Sequence, residues 1–253
     1  MLMLSCQRAG RVELSIDFSQ AASWRYVFGI DIKGIASQGD SAREFSNSLR
    51  TYLSGERSPH DDAAVRFRTG QTVVHSNFLS EQERNHLARQ CENLVLFFSP
   101  HEGAVEASDT AVTPLLTVGG WDLYRSFARV LPVLPESPVG VGASWERERT
   151  FPIETSMGNA TGMLYQLFTL DSVFSADSNK FASLSWRFTY RIQPDSAGAL
   201  DSLPLSGSGN GNAVIDMTGK RMIKAHALFE VPPKQKARQK ISWQETVHIE
   251  MVK

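Results

Sequence analysis

The sequence lacks a surplus of either charge and lacks a long apolar run. Its 26 Lys and Arg residues nearly cancel its 27 Asp and Glu residues, which leaves a formal net charge of -1. This balance gives no electrostatic reason for the chain to bind nucleic acid or an anionic membrane surface. No apolar run approaches the roughly 20 residues that a membrane-spanning helix needs. We therefore expect neither a nucleic-acid partner nor a transmembrane helix.

Cysteine is also scarce, with two residues in the chain, Cys6 and Cys91. The segment Met1–Cys6 ends in Leu-Ser-Cys, which resembles the end of a bacterial lipoprotein signal, where the cysteine is acylated. The alternative is a start methionine followed by a free cysteine, because no charged region and little apolar sequence precede Cys6. An acylated Cys6 would tether the protein to a membrane and leave Cys91 as a small buried hydrophobe. Otherwise the two cysteines could form a disulfide.

The location of the protein follows from these alternatives. If a signal precedes the given chain, we expect the cell envelope, either the periplasm or a lipid anchor at Cys6. If none does, we expect the cytoplasm.

Alternation of apolar and polar residues is the dominant pattern. It is clearest over Val12–Ser19 and recurs over residues 24–33 and 184–192. A period of two places apolar side chains on one face of a strand, as in antiparallel sheets with one wet face. The sequence therefore predicts a mainly β protein of the α+β class. Further strands are predicted over residues 64–74, 164–173, 213–216, 221–231 and 241–252.

Two segments are predicted to be helices. Ser80-Glu81-Gln82-Glu83 is a capping box, and Leu87, Cys91 and Leu94 follow it at helical spacing. This predicts a helix over about residues 80–93. A second helix is predicted over about residues 120–131, because wide apolar stripes follow Gly120 and prolines begin at Pro132.

A proline-stiffened segment divides the chain. Pro132, Pro135 and Pro138 precede the loose run Val139–Gly142, as expected between two halves. The pair Ser-Trp opens a predicted strand in each half. The sequence predicts two similar halves of curved antiparallel sheet, related by duplication. The predicted units are a tail over 1–11, a first half over 12–138 and a second half over 139–253.

The remaining glycine-, proline- and polar-rich segments are predicted to be loops and turns. Residues 34–40 and 196–212 are polar and contain glycine, so they are predicted to be loops. Gly103 and Gly219 are placed where tight reversals need a positive φ. Pro232–Lys236 is predicted to be a basic turn before the final strand.

The titratable residues do not form a recognisable catalytic or metal site. His60-Asp61-Asp62 is the tightest group, but it supplies too few ligands for zinc or a hard cation. His101-Glu102 falls in a proposed reversal, and the other histidines are scattered singly. Ser208 lies between glycines, but no helix follows it as a nucleophile elbow requires. We therefore predict no catalytic, cofactor-binding or metal-binding residues.

Charged and aromatic residues also have structural explanations. Glu146 and Glu148, with Arg147 and Arg149 beside them, are expected to pair across strands on a wet face. Four tryptophans, Trp24, Trp145, Trp186 and Trp243, are in phase with aliphatic neighbours and are expected in the core, with basic residues on the opposite face.

Four segments carry a family resemblance. Leu131–Trp145 is similar to a Leu-Pro-x-x-Pro-Val-x-Val-Gly-x-x-Trp element, and Leu96–Val105 to a Ser-Pro-x-x-Gly element between strands. Gly209–Gly219 and Ser23–Tyr26 supply weaker matches. Together they resemble an uncharacterised bacterial family of envelope proteins, commonly predicted lipoproteins, with no assigned activity. The resemblance implies the fold and an envelope location, and no chemistry.

These observations favour a non-enzymatic envelope protein that acts through protein contact or structural support. The alternative is a carrier of a hydrophobic small molecule, held between curved sheet and helix. An apolar pocket would indicate the carrier, whereas a filled interior with an exposed apolar patch would indicate a contact protein. An enzyme ranks last, because no titratable set assembles in the sequence.

Overall fold

The computed structural model describes residues 10–38, 40–57, 65–99, 123–155, 158–194, 206–233 and 239–252. The strands are β1 (Arg25–Gln38), β2 (Ser41–Arg57), β3 (Val65–Ser76), β4 (Val95–Phe98), β5 (Ser144–Thr155), β6 (Gly158–Ala176), β7 (Asn179–Pro194), β8 (Ser206–Asp216), β9 (Arg221–Val231) and β10 (Gln239–Met251). The α-helices are α1 (Glu81–Gln90) and α2 (Leu123–Val130), and a 3-10 helix covers Phe18–Ser23. The prediction of a mainly β protein is confirmed.

All ten strands belong to one sheet, in the order β4-β3-β2-β1-β10-β9-β8-β7-β6-β5. Each strand is antiparallel to its neighbours. The first and last strands meet in its middle, where β1 pairs with β10 from Tyr26 opposite Met251 to Gln38 opposite Gln239. The predicted halves thus share one continuous sheet, and the structure does not confirm the duplication. The division at residue 138 stays a prediction.

The segment after Gly10 is not the strand that its alternation predicts. Only Val12 pairs, through two backbone hydrogen bonds with Val139 of 2.8 and 2.9 Å. Asp17 instead caps the 3-10 helix, where its carboxylate accepts a hydrogen bond from the Ser19 N–H at 2.9 Å. Such local side-chain bonds give the backbone an alternative to a sheet ladder. Leu14 is buried in a small cluster, which accounts for the apolar position.

Both predicted helices are present in the described residues. The hydroxyl of Ser80 accepts a hydrogen bond from the Glu83 N–H, and the Glu83 carboxylate accepts one from the Ser80 N–H at 2.8 Å. Helix α1 ends at Gln90, short of the predicted residue 93, where Asn93 has a left-handed φ of 63°. Helix α2 lies within the predicted range, and residues 120–122 are outside the described part of the chain.

One face of the sheet carries the main core. We call it the inner face and define it by Phe28, Trp186, Phe188 and Phe229, all of which are buried. The tryptophan prediction is confirmed for Trp24 and Trp186, and Trp145 and Trp243 are partly buried against the same core. Strand β2 was not predicted, because polar residues such as Asn47 share its inner face with leucines.

The predicted loops over 34–40 and 196–212 are wrong over residues 34–38 and 206–212, because β1 extends to Gln38 and β8 begins at Ser206. The glycines of β8 lie under aromatic rings of the inner face. A Cβ on Gly207, Gly209 or Gly211 would approach atoms of Phe229, Phe188 or Trp186 to under 3.0 Å. The alternating glycines therefore make room for rings in a strand.

The turn after Asp216 is confirmed, but its backbone differs from the prediction. The Asp216 carboxylate accepts hydrogen bonds from the N–H groups of Thr218 and Gly219 at 3.0 and 2.8 Å. The positive φ of 48° belongs to Lys220 rather than to Gly219. A side chain at Gly219 would collide with the Asp216 carboxylate, which explains why glycine is there.

The substitution Gly211→Ala tests the packing of β8. We expect it to lower the free energy of unfolding by about 1–3 kcal/mol, because the new methyl group would overlap the Trp186 indole. Urea denaturation followed by circular dichroism measures the change. Gly140→Ala is the matched control, since nothing lies within 4 Å of the position that its new methyl group would take. Equal unfolding midpoints for the two variants would contradict the packing argument.

Helix α2 lies on the inner face and buries a charged pair there. Phe127 contacts Phe28 and Phe67 edge to face, each with ring centroids 5.7 Å apart. The Arg129 guanidinium lies 2.6 Å from the Glu245 carboxylate, and both side chains are only 5% exposed. Ser126 also donates a hydrogen bond to Glu245. The helix is thus fixed by an apolar contact and an ion pair together.

The contribution of the ion pair can be tested by comparing a variant that lacks one partner with a variant that lacks both. Glu245→Leu leaves the Arg129 charge buried without its carboxylate, and we expect a loss of about 3–5 kcal/mol in the free energy of unfolding. The double variant Arg129→Met with Glu245→Leu should recover much of that loss, because no uncompensated charge remains. Chemical denaturation of both variants measures this. A double variant no more stable than Glu245→Leu alone would refute the interpretation.

Cys91, which follows α1, is a buried free thiol. Burial, and to a lesser extent the nearby Glu92 carboxylate, raises the pKa of Cys91 to about 12. The thiolate is the reactive form, so we expect Cys91 not to react with a thiol reagent at pH 8 in the native protein. The Cys6→Ser variant isolates this thiol for labelling. Labelling as fast in buffer as in 8 M urea would show that the site is not closed.

Candidate functional site

An apolar cleft of about 420 Å³ lies on the inner face, toward the ends of β1, β2 and β10. Its lining consists of Ile32, Ala36, Arg43, Phe45, Asn47, Phe78, Ile241 and Trp243. Ligand sites commonly have volumes of about 300–1,000 Å³ and are mostly apolar with a few polar groups. The cleft fits that description in both size and lining.

The strand register explains why a depression forms there. On β1, Ala36 lies between Arg43 of β2 and Ile241 of β10, so a small residue has a large one on each side. One row farther in, Gly34 lies between Phe45 and Trp243. The Phe45 ring covers Gly34, where a Cβ would collide with it. The Phe45 ring therefore closes the cleft at Gly34.

The polar part of the cleft is Asn47. This residue is only 4% exposed, and its Oδ1 atom has no hydrogen-bond partner in the described structure. A buried amide oxygen without a partner costs about 1–3 kcal/mol. Asn47 therefore places an unsatisfied polar group next to the apolar lining of the cleft.

Phe78 stands at the rim of the cleft and is 42% exposed. Its position is set by the preceding Asn77, which bonds to Ser46 of β2 through its backbone N–H at 3.2 Å and its side-chain oxygen at 3.0 Å. A large apolar side chain held beside an apolar opening can cover a bound molecule without moving the sheet.

One row of paired residues, which we call the polar row because four of its eight members are polar, crosses the inner face at the level of Asn47. Pairing leads from Asn47 through Ile32 to Glu245, Phe229, Gly209, Phe188, Gln166 and Arg147, with one residue from each of eight strands. The next row, from Leu49 to Trp145, is apolar throughout. Helix α2 contacts both rows. The cleft lies across the polar row from the apolar one.

Strand β5 separates its charges by face, contrary to the prediction that all of them share a wet face. Glu146 and Glu148 are exposed, and Glu146 accepts a hydrogen bond from Tyr165 on the outer face. Arg147 and Arg149 are partly buried and in phase with Trp145, so they belong to the inner face. The prediction that basic residues avoid the tryptophan face is therefore wrong for this strand.

The predicted candidates do not assemble into a site. Ser208 is an exposed residue within β8, opposite Thr189 and Glu230. Cys6, His60-Asp61-Asp62 and His101-Glu102 lie outside the described residues. Two histidines expected to be isolated, His226 and His248, face each other across β9 and β10.

These histidines lack the partners of a metal site. Burial, with help from the Arg50 charge, lowers the pKa of His248. Within the described ranges no three His, Cys, Asp or Glu residues are grouped to hold a metal ion. No helix in the same ranges has the length and hydropathy to cross a membrane. The predicted absence of catalytic, cofactor and metal residues stays a prediction.

Sequence reasoning missed the cleft residues. Their signal is the phase of β1, in which Gly34 and Ala36 continue the inner-face positions of Ile30 and Ile32. Extending the alternation past Lys33 would have found the small residues. It would not have found their large neighbours, because those depend on the register with β2 and β10.

Comparisons with known proteins do not assign a family. No family model matches the chain, and no curated protein matches it. Among solved structures, lipovitellin, studied for lipid–protein interactions, is similar at 10% identity and a TM-score of 0.49 over 95% of this chain. The chain spans 26% of the lipovitellin chain.

Two bacterial structures are similar at lower scores. A DUF1329 family protein from Desulfovibrio piger ATCC 29098 has 8% identity and a TM-score of 0.20, over 90% of this chain and 86% of its own. A putative outer membrane lipoprotein-sorting protein domain from Vibrio parahaemolyticus has 8% identity and a TM-score of 0.15, over 94% and 90%. Likenesses of this size do not assign a function.

Proposed function

We propose that this protein binds a small amphipathic molecule in the inner-face cleft and acts as its carrier. The observation that carries the proposal is an apolar cleft of about 420 Å³ with the unpartnered Oδ1 atom of Asn47 in its wall. This is the sign expected of a carrier, and it favours that alternative over an interior completely filled by helices.

The lining specifies the chemistry of the ligand. Ile32, Ala36 and Ile241 offer aliphatic surface, and Phe45 and Trp243 offer aromatic surface. Burying apolar ligand atoms against these side chains provides affinity of about 25 cal/mol per Å² before the costs of association. Asn47 Oδ1 accepts a hydrogen bond, so the ligand should carry a hydroxyl or amide N–H group. A purely hydrocarbon ligand would leave that acceptor unsatisfied.

A protein-contact role is the second candidate. Tyr52 and Val73, on the outer face of β2 and β3, are 56% and 44% exposed. Exposed apolar side chains on neighbouring strands suit a protein partner. The contact role does not require the cleft, so loss of ligand binding would leave this candidate standing.

The envelope location belongs to the proposal and is supported by the sequence resemblance. In that setting an acylated Cys6 would hold the carrier at a membrane, which is a source of amphipathic molecules. The location and the tether are independent of the cleft chemistry.

Binding of 1-decanol tests the proposal directly. We expect saturable binding of 1-decanol by isothermal titration calorimetry, with decyl methyl ether binding more weakly because it cannot donate to Asn47. Asn47→Leu should weaken decanol about two- to tenfold, the worth of one hydrogen bond, and should remove the difference between the two probes.

Two tryptophan substitutions supply the matched control. Ala36→Trp fills the cleft and should abolish decanol binding, whereas Ile35→Trp places the same ring one residue away at an exposed position, 46% exposed in the native chain. We expect Ile35→Trp to bind as the native protein does. Undiminished decanol binding by Ala36→Trp would refute the cleft as the site.

A further inference from the structure

A second group of unsatisfied polar atoms lies on the inner face at the β5 edge of the sheet, away from the cleft. Gln166 of β6 is fully buried, yet neither its Oε1 nor its Nε2 atom has a hydrogen-bond partner in the described structure. The Nε and Nη2 atoms of Arg149 in β5 are likewise buried without a partner there. Both residues lie outside the cleft lining.

The strand register brings these two side chains together. Arg149 pairs with Leu164 and Arg147 pairs with Gln166, so Gln166 is the diagonal neighbour of Arg149 on the same face. Diagonal neighbours in an antiparallel pair have Cα atoms about 7–8 Å apart, within reach of long side chains. The two groups do not bond to each other, and both are within reach of a single small molecule bound between β5 and β6.

The local charge is positive. Arg147 is paired with Glu136 at 2.8 Å, which leaves the Arg149 charge uncompensated among these neighbours. Glu146 and Glu148, on the same strand, are exposed on the other face. Burial first, and repulsion by Arg147 second, lower the pKa of Arg149 to about 10. The guanidinium therefore remains charged at neutral pH, and an unpaired buried charge is costly.

We propose that the Nε–Nη2 edge of Arg149, together with Gln166, binds an oxyanion group such as a carboxylate or phosphate. These two nitrogens form one side of the guanidinium, and their parallel N–H bonds match two oxygens of one anion. The Gln166 amide supplies a third donor through Nε2. Arg149 as a whole is only partly buried, so part of its side chain is in contact with solvent.

The site is independent of the decanol cleft, because its anion needs no apolar body. The side chains beside Arg149 on this face include the buried Leu164, and Trp145 lies on the same strand. An anion with a short apolar chain would therefore also find apolar surface. Free phosphate, acetate and decanoate distinguish a site for any oxyanion from a site for an amphipathic acid.

The Arg149 Nε–H resonance reports binding directly in nuclear magnetic resonance titrations of the full chain. We expect acetate or phosphate to shift it along a saturable curve. Arg149→Met should remove this anion site, and Gln166→Leu should weaken it severalfold. Arg191→Met is the matched control, because Arg191 is exposed on neighbouring β7 and its loss should change nothing.

Stability separates anion binding from a structural role for Arg149. Without added anion, Arg149→Met should unfold at an equal or higher urea concentration than the native chain, since it removes an uncompensated buried charge. Phosphate should raise the unfolding midpoint of the native chain and of Arg191→Met, but not that of Arg149→Met. If decanoate saturates the site at a lower concentration than acetate does, the preferred ligand is an amphipathic acid.

Two results would overturn the proposal. One is an Arg149 resonance that shifts linearly and without saturation, like that of Arg191, which would mean that water alone fills the gap. The other is an Arg149→Met variant that keeps the phosphate-dependent stabilisation. Neither result bears on decanol binding, and the Ala36→Trp variant should keep its anion site.

Discussion

The docking of α2 onto the inner face is the interaction on which the rest of the structure depends. A ten-stranded sheet with one apolar face must cover that face, and α2 is only eight residues long. It is held by the Arg129–Glu245 pair, which is 2.6 Å long and nearly inaccessible to water. The guanidinium also lies over the Phe229 ring, 4.6 Å from its centroid. The buried ion pair and the contact with the Phe229 ring together limit the positions that α2 can take on the sheet.

Arg129 of α2 binds Glu245 in the polar row. Because this contact fixes the helix there, α2 does not cover the whole inner face. On the apolar side of the row, Phe127 packs against Phe28 and Phe67. Across the row, toward Ala36 and Trp243, the cleft remains. The buried ion pair thus fixes which part of the face α2 covers, and the register around Ala36 accounts for the cleft. Helix docking and the ligand binding that we propose therefore involve the same surface.

Small residues shape this surface as much as large ones do. In β8, alternating glycines lie beneath the rings of Phe188 and Trp186. In β1, Gly34 makes room for the Phe45 ring, and Ala36 lines the cleft. A polar, glycine-containing segment in the sequence normally predicts a loop. In this sheet, a glycine or alanine leaves space on the inner face. A side chain of a neighbouring strand fills that space, or it stays open as part of the cleft.

Several elements that depend on local sequence order were predicted correctly. The capping box at Ser80 correctly predicts α1, and the alternation around Trp186 correctly predicts β7. The end of β8 was predicted over residues 213–216, but its glycine-rich part over residues 206–212 was missed because the aromatic rings that compensate its glycines come from other strands. The cleft and the Arg149–Gln166 group were missed for the same reason. Each depends on cross-strand register, which a period of two does not specify.

The signs of the charges in β5 show the same limit. Glu146, Arg147, Glu148 and Arg149 alternate in the sequence as an ion-pairing strand on a wet face would. The apolar phase of Trp145 assigns the arginines to the inner face instead. The alternation that starts at Trp145 is visible in the sequence. It is overlooked when the neighbouring opposite charges are assumed to pair with one another. Charge alternation is therefore better interpreted together with the nearest aromatic residue.

The central claim is that the unfilled part of the inner face binds an amphipathic molecule while the part under α2 stays closed. The most direct measurement is a chemical-shift map of the isotope-labelled protein with 1-decanol. The account predicts saturable shifts at the Ala36 methyl, the Asn47 side-chain amide and the Trp243 indole, with the Trp186 indole unchanged. Shifts centred on Trp186 or spread evenly over the protein would contradict it.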